Sequence, residues 1–284
     1  MENTTSVTLG DKTKTTTNSD LQNKATVAGL NSEFTNQEFI IPTDEIELPS
    51  QGRFYANKKS SVKIKLMTTA EDEILTSPEL IKNGKVLDVL LESSIIDRDL
   101  RPADMLICDK NAVLLQLRSS GYGDEYDFKM ICPECHESYI AKINISELKY
   151  KDLIEPDSNG LYTVTLPKMK AVIKFRLLTG QDEDNISKKI EKQRKLNKNA
   201  TTSKLLTERY IIQIMDFNGH TDKLYISSAI GAMPISDSFY LREYMRIVEP
   251  GIDMEQDFTC EKCGHTYEDN VPISARLFWP NAKY

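Results

Sequence analysis

The chain has 284 residues, 39% of them hydrophobic and 28% charged, with a formal charge of −7. That length is enough for two ordinary domains and a real core. The acidic balance argues against a general nucleic-acid binder, which is ordinarily basic. No apolar run approaches the length of a bilayer span and the N-terminus lacks a signal peptide's apolar core, so no membrane association is expected.

Residues 1–38 are rich in Thr, Ser and Asn. They carry too little apolar surface to offset chain entropy alone. Two readings stand: a tail without a task, or an arm that orders along a neighbouring subunit. From residue 39 the pattern becomes ordered. Val62 to Met67 alternates apolar and basic residues, as a half-buried strand does. A short helix is predicted near 70–77, stopped by Ser77-Pro78, because the residue before proline disfavours α. A second, apolar helix runs from Val86 to about Ile96. Asp109 is placed to N-cap a third, whose Val113, Leu114 and Leu117 share a face and which stops at Gly121-Tyr-Gly123. Strands then flank Cys132-Pro-Glu-Cys135.

Further strands are predicted near 161–166 and 171–177. A long helix near 181–197 opens on Asp182, Glu183 and Asp184 and closes on Lys192, Arg194, Lys195 and Lys198, as the helix dipole favours. The basic end lacks interleaved aromatic residues and reads as a solvated face. Helices near 203–216 and 236–248 follow. Cys260-Glu-Lys-Cys263 then sits between strands, and Trp279-Pro280 is placed to dock the terminus.

The two C-x2-C knuckles stand 128 residues apart in register. Sliding the chain by that amount aligns 109–146 with 237–274 without a gap. Asp109 meets Asp237, Arg118 meets Arg246, Gly123 meets Gly251, and Tyr139 meets Tyr267. Upstream, Glu47-Leu-Pro-Ser-Gln-Gly-Arg-Phe-Tyr55 is echoed by Glu155-Pro-Asp-Ser-Asn-Gly-Leu-Tyr162. Val62–Thr68 is echoed by Val172–Thr179. The expected architecture is an internally duplicated α+β protein, with repeats of about 47–148 and 155–276. On this reading the domains are an arm over 1–38, a first repeat over 39–150 and a second over 151–284 with a helical insert. Thiolates are soft ligands, and four of them form a closed tetrahedral zinc site. Cys132, Cys135, Cys260 and Cys263 are therefore expected to hold one structural Zn2+ per chain. Two separate zinc sites that each use a histidine are the alternative.

Little else in the sequence carries chemistry. There is no Walker loop, G-x-S-x-G elbow, H-E-x-x-H or dinucleotide fingerprint. His136 and His265 lie beside the knuckles, and His220 follows Asn218-Gly219 in a predicted turn. Cys132-Pro-Glu-Cys135-His136 fits the haem-attachment pattern, but the second knuckle does not repeat it. The knuckles lie between strands, not at a helix start, which disfavours a thioredoxin-like pair. Cys108 follows Met105-Leu106-Ile107 and reads as a buried inert thiol.

Three stretches resemble the T4-type phage baseplate proteins. They are Glu47–Tyr55, the strand ending Leu66-Met67-Thr68 with Glu71-Asp72-Glu73-Ile74-Leu75, and Leu117-Arg118 through Gly121-Tyr-Gly123-Asp-Glu125-Tyr126 into the first knuckle. The resemblance covers about 42–150 directly and the second half through the repeat. It implies a non-enzymatic hub or wedge component of a contractile tail baseplate, located in the virion and assembled in the host cytoplasm. Its expected partners are other baseplate and tail proteins, with no small-molecule substrate and no nucleic acid. A zinc-ribbon nucleic-acid-associated factor and an assembly chaperone absent from the finished particle are the alternatives.

Overall fold

The computed structural model describes residues 41–196, 204–273 and 275–278. The arm expected over 1–38, Ser274 and Trp279-Pro280 lie outside them. The first half opens with antiparallel strands β1 (Thr43–Glu47) and β2 (Ser61–Lys65). The alternation of β2 buries Val62 and Ile64 completely. Helix α1 (Thr69–Thr76) follows, then α2 (Pro78–Lys82). Ser77 serves both: its N–H closes α1 on the Ile74 carbonyl, and its hydroxyl caps α2. Helix α3 (Val86–Ser94) buries Val86, Leu90 and Leu91 and ends at Ile95, which bridges to Ile64 of β2. Helix α4 (Ile107–Tyr122) ends at Gly123, where the backbone turns to φ +81°. Strands β3 (Glu125–Ile131) and β4 (Ser138–Asn144) then form a hairpin around the first knuckle.

The second half runs in a similar order. Strands β5 (Tyr162–Thr165), β6 (Val172–Phe175) and β7 (Ile214–Phe217) make an antiparallel sheet in the order β5-β6-β7. Helices α5 (Gly180–Leu196) and α6 (Leu205–Gln213) lie in sequence between β6 and β7. Helix α7 (Lys223–Gly231) is capped by Asp222. Helix α8 (Ile235–Val248) leads to the hairpin of β8 (Glu255–Thr259) and β9 (Thr266–Asn270). The mixed composition is α+β, as expected. Strands β1 and β7 and helices α2 and α7 lie outside the elements expected from the sequence. The four residues of β7 follow a helix without a turn signal between them, so their pattern reads as one helix over 203–216.

Four buried carboxylates fix the local geometry. At the start of α1, Thr68 and Glu71 form a capping box: the Thr68 hydroxyl accepts from the Ala70 N–H, and Glu71 accepts from the Thr68 N–H. Glu71 is fully buried and also meets Lys65 at 2.7 Å. Burial alone would raise its pKa, but Lys65, Ser93 and Thr68 outweigh it and hold the carboxyl down at about 2. Thr179 and Asp182 repeat the arrangement at the start of α5, with Arg176 on Asp182 at 2.6 Å. Neither Asp109 nor Asp237 caps its own helix, contrary to expectation. Each stands at the third helical position, behind Leu106 and Pro234. Each reaches instead to the loop joining the preceding strand pair. Asp109 accepts from the N–H and hydroxyl of Ser50 at 3.0 and 2.6 Å and from Tyr55. Asp237 accepts from the N–H groups of Lys168 and Met169 at 2.9 and 2.8 Å. That geometry also corrects one proposed echo: residues 48–60 join β1 to β2, whereas 155–161 precede β5.

Two cores result. The first gathers β1–β4 and α1, α3 and α4 and takes in Phe258, Cys260, Val271, Leu277 and Phe278. The second gathers β5–β7 and α6–α8, and takes in Leu106 and Cys108 from the start of α4.

Glu71→Ala removes one member of a buried ion pair and a cap, and should lower stability at pH 7 by about 3 kcal/mol in urea unfolding. Because the folded pKa lies below the unfolded one, this stabilisation is complete above about pH 4.5 and fades as pH falls towards 2. The difference between wild type and variant should therefore shrink across that window.

Candidate metal centre

The alternation of β3 sends Tyr126, Phe128 and Met130 into the core and places Cys132 at the strand end. Tyr139 and Ala141 return along β4. In the turn between, the Cys132 N–H donates to the Glu137 carbonyl at 3.0 Å and the His136 N–H to the Cys132 carbonyl at 3.0 Å. The second knuckle repeats both bonds, Cys260 to His265 at 2.9 Å and Gly264 to Cys260 at 2.9 Å. Each turn needs a left-handed residue after its second cysteine. Gly264 takes it at φ +75°, and His136 takes it at +59°. His136 therefore fills a turn position, which accounts for the incidental haem-like pattern.

The hairpins meet through Phe128 and Phe258, packed edge to face at 5.7 Å, and through the hydroxyls of Tyr139 and Tyr267 at 3.0 Å. The register of those tyrosines is visible in the sequence. Their meeting is not, because hairpin pairing says nothing of which hairpins abut. An antiparallel bridge between Tyr150 and Ile252 completes the junction. The Asp253 N–H donates to Lys149 and the Lys151 N–H to Gly251, at 2.7 and 2.8 Å. On the other side, buried Arg118 donates to the carbonyls of Leu277, Glu125 and Gly123. Arg246 occupies the corresponding helical place but is exposed and pairs with Glu243 and Glu255.

This packing brings all four predicted cysteines together, with every Sγ within 4.8 Å of the others. Cys132 and Cys263 are 3.7 Å apart, and Cys135 and Cys260 3.8 Å. Four sulfurs about 2.3 Å from a common tetrahedral centre stand about 3.8 Å from one another, so the donor set fits a four-thiolate ion. Cys132 and Cys260 are buried, Cys135 is half-buried and Cys263 exposed. Burial opposes ionisation of Cys260, but the N–H groups of Cys263 and Lys262 outweigh it and lower the thiol to about 7. The Glu137 N–H favours the Cys135 thiolate, yet desolvation and the three other sulfurs push it up to about 12. Four adjacent thiols cannot all ionise unaided, and a cation removes that conflict. All four donors are sulfur, which leaves no open coordination position for a reaction.

The other singled-out residues lie elsewhere. Cys108 is buried, and burial pushes its thiol well up, as expected of an inert core cysteine. His220 lies in its predicted turn against the Tyr225 ring. His265 stacks on Tyr267 at 6.0 Å.

The fold and centre define a class: an α+β protein whose knuckle hairpins converge on four cysteines. The family described as T4 bacteriophage base plate protein matches residues 41–274, and the chain belongs to it. Membership ties the chain to a structural role in the phage baseplate among other tail proteins. No curated protein and no solved structure matches the chain. No helix among the described residues is long and apolar enough to cross a membrane.

His136→Gly should leave metal content unchanged and raise stability by roughly 1 kcal/mol, because glycine takes the left-handed turn without a Cβ clash. Equilibrium unfolding with metal analysis of the same samples reads both effects.

Proposed function

We propose that this chain is a structural subunit of the baseplate, in the hub or wedge, held in shape by one zinc ion on Cys132, Cys135, Cys260 and Cys263. The observation that carries the reading is the clustering of four sulfurs from two distant knuckles, two pairs of them at the spacing of a four-thiolate site, in a member of the baseplate family. An all-thiolate tetrahedral set suits zinc, and its closed shell suits a clasp. The protein works by occupying a place between neighbours, without turnover.

We read its halves, 39–150 and 151–284, as a tandem duplication. Several pairs support this. Lys65 on Glu71 beside Thr68 matches Arg176 on Asp182 beside Thr179, each residue 111 positions on. Ile95 meets Ile64 as Ile214 meets Phe175. Asp109 and Asp237 hold equivalent loops. The sulfur contacts, Cys132 to Cys263 and Cys135 to Cys260, exchange under the 128-residue shift, and the Tyr139–Tyr267 pair maps onto itself. That is the behaviour of a local two-fold axis. The second copy's extra residues fall in a longer α5 and in α7.

Metal analysis of the purified chain should give one zinc per molecule. Cys260→Ser should abolish it and lower Tm by at least about 10 °C, since the clasp closes a long loop. For the particle, a phage lacking the gene should form defective tails that the full-length chain restores, and mass spectrometry should find the chain in purified virions. Normal baseplates without the protein would overturn the structural role. Zinc-free protein with an unchanged Tm would overturn the clasp.

A further inference from the structure

Helices α4 and α8 open alike, with Ile107-Cys-Asp109 and Ile235-Ser-Asp237, and each aspartate is buried against its hairpin loop. Their outer faces differ. Ile107 packs against Leu178, Ile186 and Ile190, residues of the segment that leads into α5 and of α5 itself. The backbone seals this contact. Leu106 bridges to Thr179, the Ile107 N–H donates to Leu178 at 3.2 Å, and the Gly180 and Gln181 N–H groups donate to Met105 and Ala103 at 2.9 and 2.7 Å. A Cβ on Gly180 would stand 2.8 Å from the Pro102 carbonyl, so the approach is close.

At the start of α8 no described residue takes the place of that cover. Ile235 is 90% exposed, and Phe239, one turn on, is 58% exposed. Arg242, a further turn on, lays its guanidinium 5.8 Å over the Phe239 ring and has no carboxylate partner among the described residues. Ile235, Phe239 and Arg242 form one stripe at i, i+4, i+7 spacing. An isolated exposed apolar residue needs no explanation, but an aligned pair beside an unneutralised cation does.

We infer that this stripe is a docking site for an amphipathic helix of a neighbouring baseplate subunit. The α4–α5 contact supplies the template for the occupant. A short extended segment pairs with the start of the helix, and an i, i+4 apolar pair, in the manner of Ile186 and Ile190, then covers Ile235 and Phe239. A carboxylate on the incoming helix meets Arg242. The occupant is not a second copy's α5, because that helix is already seated on its own α4. The inference rests on the structural role proposed above and adds the surface and the chemistry of its partner.

The test places the photoreactive analogue p-benzoylphenylalanine at position 239 of the full chain, in phage assembled on that chain. Irradiated particles should yield a crosslink to one other tail protein, at a stretch with apolar residues at i, i+4 and a nearby Asp or Glu. Ile235→Glu with Phe239→Glu should cut incorporation into particles by at least about tenfold while leaving the Tm of the free protein unchanged, as expected for central apolar contacts. A chain present in particles that crosslinks only to itself or to a second copy, or a double variant that incorporates normally, overturns the docking site alone. A chain absent from particles overturns the baseplate role and the docking site with it.

Discussion

Four cysteine sulfurs within 4.8 Å of one another constrain everything around them. They repel when charged and are poor hydrogen-bond partners when neutral. A cation at their centre would relieve that conflict. The two hairpins must therefore bring their knuckle turns together at one point. The Phe128–Phe258 contact and the paired tyrosine hydroxyls set that alignment from the apolar side. The antiparallel bridge between 149–151 and 251–253 adds backbone hydrogen bonds to it.

A second constraint operates away from the sulfurs. Each half starts from a strand pair whose connecting loop is held by an aspartate from a helix much later in sequence. Asp109 makes these bonds without a cation at hand. Burial pushes its carboxyl upward, and the hydrogen bonds from Ser50 and Tyr55 act against that. Glu71 and Asp182 solve the same desolvation problem differently, by taking a basic side chain from the end of the preceding strand, Lys65, or from the residue just after it, Arg176. Both solutions keep a helix start tied to a sheet, and the strand pairs supply the rest of each core through side-chain alternation.

Much of this was legible in the sequence, and the gaps have physical causes. The cysteines were found by spacing, because a knuckle needs both sulfurs on one tight turn and few other structures use that pattern. The helix limits at Ser77-Pro78 and Gly123 followed from backbone restrictions that act locally. The role of Asp109 did not, because aspartate near a helix start looks the same whether it caps that helix or reaches 59 residues back to Ser50. The strand β7 was missed for a similar reason. Its four residues gain strand character only by pairing with β6, which no local pattern records. Arg118 and Arg246 each stand twelfth in their helices, yet Arg118 is buried and bonded to the Leu277 carbonyl while Arg246 meets solvent. Register carries position, and burial depends on what the rest of the chain lays on top.

The knuckles also determine how the molecule would bear tension. With a metal seated, Cys132 and Cys263 are joined directly, and the residues between them become a closed ring. A pull applied on either side of the centre passes from β3 through the ion to β9. Helices α5 to α8 lie within that ring, and α5 is tied to the loaded side by its contact with the start of α4. A tail that contracts transmits force through its baseplate, and in such a setting the enclosed module could keep its shape, and its exposed helix face, while the clasp takes the strain.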